Sequence, residues 1–240
     1  MSKRGFLTIG STSSADFGIW ITGDGLFDSA SPDVSVTSVP GRNGDLLYSN
    51  NRFKNYTVTI PCFMRRDFKA NFQAFRAFLF SDVGYRRIGN TYTPDKFRLG
   101  RITGTVNPSD ILWGDDGGAF EVTFDCKPQH FLKSGENALS VSSSAVLSNP
   151  TQFEAKPLIK VVGYGTITIG DETIVIAENT LPYIKIDCEI MDAYYGTVTN
   201  ANSYITVSGD DFPVIPTGET TISLDGSFTS CEITPRWYTI

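Results

Sequence analysis

The chain has 240 residues, of which 40% are hydrophobic, 12% aromatic and 19% charged, the balance of one or two ordinary globular domains. That is too apolar for a disordered chain, and no stretch approaches the roughly 18 consecutive apolar residues a membrane span requires. The net charge of -6 hides an asymmetry: residues 1–130 carry 15 Lys and Arg against 13 Asp and Glu, and residues 131–240 carry 5 against 13. The halves are therefore +2 and -8, and 13 of the 17 Phe lie in the first. An acidic chain argues against a dedicated nucleic-acid binder, which gathers Lys and Arg on one surface. The break in composition predicts two domains with different tasks.

In chain order, the first residues are basic but lack the apolar segment of a secretory signal, which predicts folding in the cytosol. Phe17-Gly-Ile-Trp-Ile, Val34-Ser-Val-Thr-Ser-Val and Tyr56-Thr-Val-Thr-Ile are rich in β-branched and aromatic residues and read as strands. Between the second and third lies Val39-Pro-Gly-Arg-Asn-Gly-Asp-Leu-Leu-Tyr, where Pro fixes φ and the glycines permit left-handed backbone. This turn-rich loop is no phosphate loop, because strands rather than a helix follow it.

Asp67 to Ser81 is the exception to the β pattern. Phe68, Phe72, Phe75 and Leu79 recur at spacings of 4, 3 and 4, one stripe of a helix, with Asp67 placed to cap its first amides. The stripe is expected to pack on a sheet. Phe78 and Phe80 fall off it, and a neighbouring subunit is one way to cover them. Lys96 to Val106 and Ala119 to Cys126 resume strand alternation.

Residues 127–157 hold Lys127-Pro, Gly135, the Ser142 run, Asn149-Pro and Lys156-Pro, the turn chemistry of a junction. Beyond it the pattern is wholly β. Pro157-Leu-Ile-Lys-Val-Val, Gly165-Thr-Ile-Thr-Ile, Thr173-Ile-Val-Ile, Tyr183-Ile-Lys-Ile-Asp-Cys-Glu, Ser203-Tyr-Ile-Thr-Val, Thr221-Ile-Ser-Leu and Thr229-Ser-Cys-Glu-Ile read as short strands. Gly170-Asp171 and Asp225-Gly226 read as hairpin turns. Seven or more such strands predict a β-sandwich.

The residues that carry chemistry are sparse. Cys62, Cys126, Cys188 and Cys231 stand singly, without the close pairs of a zinc site, and read as buried free thiols. His130 is the sole histidine and reads as structural, which leaves no ordinary serine-protease or multi-histidine metal apparatus. Asp115-Asp116 and Asp210-Asp211 are a formal match for a glycosidase pair, but adjacent carboxylates beside Gly or Pro fit solvated turns better. No catalytic, cofactor or metal residue is assigned, and the chain is not expected to be an enzyme.

The ordered series Val39-Pro-Gly-Arg-Asn-Gly-Asp-Leu, Tyr56-Thr-Val-Thr-Ile, the helix, Leu147-Ser-Asn-Pro-Thr, Lys156-Pro-Leu-Ile-Lys-Val-Val-Gly-Tyr-Gly, Ile184-Lys-Ile-Asp-Cys-Glu and Ile233-Thr-Pro-Arg-Trp resembles the distal tail proteins of long-tailed bacteriophages, the siphophage tail component family. The resemblance spans nearly the whole chain. It implies a mainly β fold: an N-terminal β-barrel or sheet belt domain with one helix over 1–130, then a galectin-like β-sandwich over 131–240. It further implies a homo-hexameric ring at the tail tip that joins the tail tube to the baseplate and passes DNA through its lumen. The implied partners are the tail-tube, tape-measure and tail-associated or receptor-binding proteins, with no cofactor and no membrane insertion. The implied location is the virion, after assembly in the host cytoplasm.

Within that frame Arg42, Asn43, Asp45, Phe78 and Phe80 are candidate ring contacts. Arg65, Arg66, Arg86, Arg87, Arg98 and Arg101 are candidates for pairing across subunits or facing DNA. Two alternatives are a host-adhesion module, with Tyr164, Tyr194 and Tyr195 stacking on sugar rings, and a tail-tube subunit. Tyr183 and Tyr204 are further stacking candidates.

Overall fold

The computed structural model describes residues 5–112 and 116–240 and is built almost wholly of antiparallel strands. Its contacts divide it into two units, residues 1–130 with Ile240 and residues 131–239.

The first unit contains β1 (Leu7–Ile9), β2 (Thr12–Ser13), β3 (Trp20–Ile21), β4 (Pro32–Thr37), β5 (Leu46–Phe53), β6 (Tyr56–Met64), α1 (Phe68–Phe80), β7 (Arg86–Asn90), β8 (Lys96–Ile102), β9 (Pro108–Leu112) and β10 (Gly117–Leu132), the last running on past His130. The main sheet has the order β2-β1-β7-β8-β10-β6-β3, with β9 added to β10. It is not a closed barrel, since the β1 side and β3 are joined only by an isolated bridge between Gly5 and Ile21 and not by a ladder among the described residues. Gly18 adopts φ 67 and ends a 3₁₀ turn at Ser14–Phe17, so the expected strand from Phe17 shrinks to Trp20–Ile21.

Alternation builds the core. Phe120, Val122 and Phe124 of β10 stand opposite Cys62, Ile60 and Val58 of β6, and all six are buried. Onto this face α1 lays Phe68, Phe72, Phe75 and Leu79, the stripe read from the sequence. Phe72 meets Phe120 edge-on at a centroid distance of 5.0 Å, and Phe75 lies 6.1 Å from it. Phe75 is 1% exposed, and burying a side chain of that size contributes about 1.5–3 kcal/mol. Asp67 does not cap the helix: it sits in the left-handed region at φ 52, and its side chain bonds no amide. The Phe68 N–H instead donates to the Asp116 carbonyl at 3.0 Å, so loop backbone satisfies the first donor.

The second unit contains β11 (Leu139–Ser140), β12 (Ser144–Asn149), β13 (Leu158–Ile169), β14 (Glu172–Ile176), β15 (Ile184–Asp187), β16 (Asp192–Tyr195), β17 (Thr199–Asn200), β18 (Ile205–Val207), β19 (Gly218–Thr234) and β20 (Tyr238–Thr239). It is a β-sandwich whose layers share two long bent strands. The first half of β13 pairs β15, its second half pairs β14, and β19 runs beside both with a bulge at Val162/Gly163. Asp225-Gly226 is therefore no hairpin turn but an interior point of β19. Gly226 has φ 139, and a Cβ there would stand 2.6 Å from the Gly165 Cα, so bare backbone is what lets the strands cross this closely.

Two polar devices lock this unit. Asn149 is 4% exposed; its amide donates to the Phe153, Ile215 and Pro216 carbonyls at 2.9, 3.3 and 3.2 Å, and its oxygen accepts from Thr151. Arg236 grips Asp187 with two hydrogen bonds of 2.6 and 2.9 Å. The Leu147-Ser-Asn-Pro-Thr, Ile-Asp-Cys and Pro-Arg-Trp segments of the sequence are thus the fastenings of one sandwich.

Candidate assembly interface

β4 and β5 form a two-stranded ribbon separate from the main sheet. Val34 pairs with Ser49 and Val36 with Leu47, so Val34, Val36 and Leu47 share one face, and Ser35, Thr37, Leu46 and Tyr48 share the other. Both faces are bare: Val36 is 57% exposed, Leu46 51%, Leu47 67% and Tyr48 69%. An exposed apolar ribbon of this kind marks an interaction surface, because two strands alone are only marginally stable in water.

The ribbon is nevertheless well specified. At its base Asp33 bonds Arg52 at 2.7 Å and Lys54 at 3.3 Å, and the Arg52 guanidinium holds the Asp33 carboxyl below its usual range. At its tip Val39-Pro-Gly-Arg closes a turn with the Arg42 N–H donating to the Val39 carbonyl at 3.2 Å. Pro40 supplies the second position, and Gly41, at φ 80, the left-handed third position of a type II turn. Arg42, Asn43 and Asp45 all project from this tip into solvent.

The other candidate ring contacts separate. Phe80 is 41% exposed. Phe78 is half-buried by its own chain, stacked at 5.7 Å on Phe17 and covered by the Arg86 guanidinium at 5.2 Å. Four of the six arginines offered for other subunits or DNA serve their own chain. Arg86 bonds the Phe78 and Leu79 carbonyls at the end of α1, Arg87 lies 3.9 Å over Phe97, Arg98 is buried on the Leu26 carbonyl, and Arg101 pairs with Asp125 at 3.0 Å. Arg65 and Arg66 remain exposed. Sequence reading found the tip of the ribbon through its turn residues, but missed that both strands below it are uncovered. Alternation there looked like that of any half-buried strand.

The tyrosines form no single platform. Tyr194 and Tyr195 are adjacent on β16 and point to opposite faces, while Tyr164 lies on β13 and is 41% exposed. Tyr195 instead meets Tyr183 edge-on at 4.9 Å, with Lys160 and Lys185 within 6 Å of the Tyr183 ring. Tyr204 packs partly buried against the core of its unit.

Groups capable of chemistry are held quiet. Burial pushes the thiols of Cys62 and Cys188 up to about 12 and those of Cys126 and Cys231 up to about 11, so none is a ready nucleophile. His130 bonds the Tyr56 hydroxyl at 2.6 Å; burial first, then the charges of Arg98 and Lys96, lower it to about 4. Asp116, Asp210 and Asp211 are exposed, and Asp115 lies outside the described residues. Among the described residues no three His, Cys, Asp or Glu side chains gather as a metal site, and no helix is long and apolar enough to cross a membrane.

No protein-family model matches the chain, and no curated protein matches it either. Solved structures do. The SPP1 Dit protein, described as a paradigm of the hub adsorption apparatus in phages that infect Gram-positive hosts, superposes with a TM-score of 0.74 at 12% identity, covering 99% of this chain and 100% of that one. A chain of the phage P2 baseplate in its activated conformation with calcium gives a TM-score of 0.57 at 11% identity over 97% of both chains. The same baseplate with strontium gives 0.56 at 11% identity, over 95% of this chain and 96% of that one. The likeness runs the length of both units in one chain order, and the protein shares the fold of the SPP1 Dit protein, a β-rich unit with one helix followed by a β-sandwich.

Proposed function

We propose that the chain is a non-enzymatic structural component of a long-tailed phage tail tip, working in the virion as the subunit of a homo-hexameric ring. Residues 1–130 form the ring as its belt, and residues 131–240 form an outward sandwich. The ring joins the tail tube to the baseplate, contacts the tape-measure and tail-associated or receptor-binding proteins, and passes DNA without binding it specifically or entering a membrane. The observation that carries this reading is the uncovered β4–β5 ribbon on a chain whose whole length follows the hub fold. A subunit that had to stand alone would leave Leu47 67% and Tyr48 69% exposed for nothing; a ring subunit buries them.

Arg42, Asn43 and Asp45 at the ribbon tip and Phe80 on α1 are the contacts proposed for the ring. Replacing Arg42 and Asp45 together by Ala leaves the folded monomer intact, since both side chains are exposed and neither makes a hydrogen bond or ion pair among the described residues, and shifts the hexamer to smaller species. Light scattering reads the change directly, and an unchanged mass would sink this assignment. The alternative of a tail-tube subunit predicts long tubes under the electron microscope rather than a single closed ring.

A further inference from the structure

Asn43-Gly44 is the sole Asn-Gly pair of the chain, and it follows directly on the turn that the Arg42 N–H closes with the Val39 carbonyl. Three observations leave this pair open to reaction. Both residues are exposed to solvent. Gly44 sits at φ 83, and a Cβ placed on it would meet nothing within 4 Å, so neither its own side chain nor a neighbour shields its nitrogen from the preceding carboxamide. Among the described residues neither the Asn43 carboxamide nor the Gly44 N–H makes a hydrogen bond.

The fold restrains other asparagines. Asn202 precedes a serine, but its oxygen accepts from the Ala193 N–H at 2.7 Å and its amide donates to Asp192 at 2.6 Å. Asn149 donates to three carbonyls and precedes Pro150, which has no N–H to give up.

We infer that Asn43 deamidates spontaneously in the unassembled chain, with its own backbone as the nucleophile. The Gly44 nitrogen loses its proton to solvent base and attacks the Asn43 Cγ. The new N–C bond closes a succinimide ring, and the side-chain nitrogen takes up a proton and leaves as ammonia. One water then opens the ring at either carbonyl, giving aspartate or isoaspartate at position 43. Both products add a negative charge beside Arg42 and Asp45, and isoaspartate also routes the main chain through the side-chain carbon. The consequence for assembly rests on the ring reading above. With Arg42, Asn43 and Asp45 against a neighbouring subunit, assembly shields the pair, so a subunit that waits is altered and then joins less well.

Time courses on the purified chain at about pH 6 and about pH 8, with light scattering for its mass and peptide mass spectrometry after peptic digestion in acid, test this. Asn43 is expected to convert faster at the higher pH, where more of the backbone amide is deprotonated, and at least about tenfold faster than the restrained Asn202. In water labelled with heavy oxygen, both products gain one labelled oxygen; Asn43→Gln removes the fast conversion. A monomeric chain in which Asn43 stays intact, or converts no faster than Asn202, overturns the inference. Conversion inside a ring upholds the chemistry and counts against the tip as a buried contact. Where the parent is a ring with Asn43 intact, Leu47→Asp, at a position 67% exposed on the ribbon, supplies a less assembled chain, and an intact Asn43 there also overturns the inference. Asn43→Asp reads the consequence. It is expected to weaken assembly about tenfold while Asn43→Gln stays near the parent, and equal assembly of the two overturns the effect on the ring but not the chemistry.

Discussion

Removing Arg236 tests how the sandwich is fastened. Asp187 is 7% exposed, and Arg236 meets both its oxygens at 2.6 and 2.9 Å. Burial alone would raise the Asp187 carboxyl; the Arg236 hydrogen bonds and charge, with the amide of Glu189, outweigh it, and the net shift is downward. Arg236→Met keeps the aliphatic stem but leaves a desolvated carboxylate, which costs about 2–4 kcal/mol at pH 7 for a pair of this burial. With a urea slope of about 1–3 kcal/mol per molar, the midpoint of the second unit falls by at least about 0.7 M. The pH dependence is the sharper readout. In the parent the carboxyl titrates below its ordinary value of 3.8, so its stabilisation holds at neutral pH and is lost as pH falls through the lowered value. In the variant only the backbone amides of Glu189 and Ile190 still oppose burial, so the Asp187 carboxyl titrates higher than in the parent, and acidification from pH 7 toward 4 narrows the gap between the two proteins. Urea melts at several pH values, followed by a probe in the sandwich, measure it. A deficit independent of pH, or one below about 0.5 kcal/mol, refutes the reasoning. Adding Asp187→Leu to the variant should recover much of the loss.

Three further outcomes follow from the packing. His130 is lowered to about 4 in the fold against 6.5 when free, so its contribution is present above pH 6.5 and lost as pH falls toward 4. Discounted for partial exposure, this amounts to about 1–2 kcal/mol across that window, and His130→Gln should lack that component of the acid slope when the two proteins are compared by denaturation. Phe75→Ala removes the centre of the helix stripe and should destabilise the first unit by about 3–5 kcal/mol in calorimetry, while Phe80→Ala, 41% exposed, should change it by less than about 0.5 kcal/mol. Gly226→Val drives a branched Cβ into the Gly165 backbone at a φ of 139, and should cost the second unit at least about 2 kcal/mol or abolish its cooperative melting.

The helix was legible because its stripe obeys one period over about three turns and its partner face alternates over β6 and β10. The ribbon tip was legible because Pro-Gly and Asn-Gly demand particular backbone angles. Other features turn on tertiary neighbours that no local pattern carries. Asp225-Gly226 has the letters of a hairpin, yet Gly226 is present so that β13 and β19 can cross. Asp67 has the letters of a cap, but its left-handed backbone leaves the first amide to Asp116. Six arginines look alike in sequence. Only the fold shows that Arg86 closes a helix end and Arg98 holds a buried carbonyl, leaving Arg65 and Arg66 to solvent. Strand alternation likewise cannot reveal that Val36 and Leu47 stay 57% and 67% exposed in the fold.

Class averages from electron microscopy of the purified chain, taken with its solution mass, test the central claim most directly. The account predicts a closed sixfold ring, six chain masses in weight, with a channel wide enough for duplex DNA and the β4–β5 ribbons inside subunit contacts. A monomer at every concentration, or an open filament with the ribbons still exposed, would contradict it.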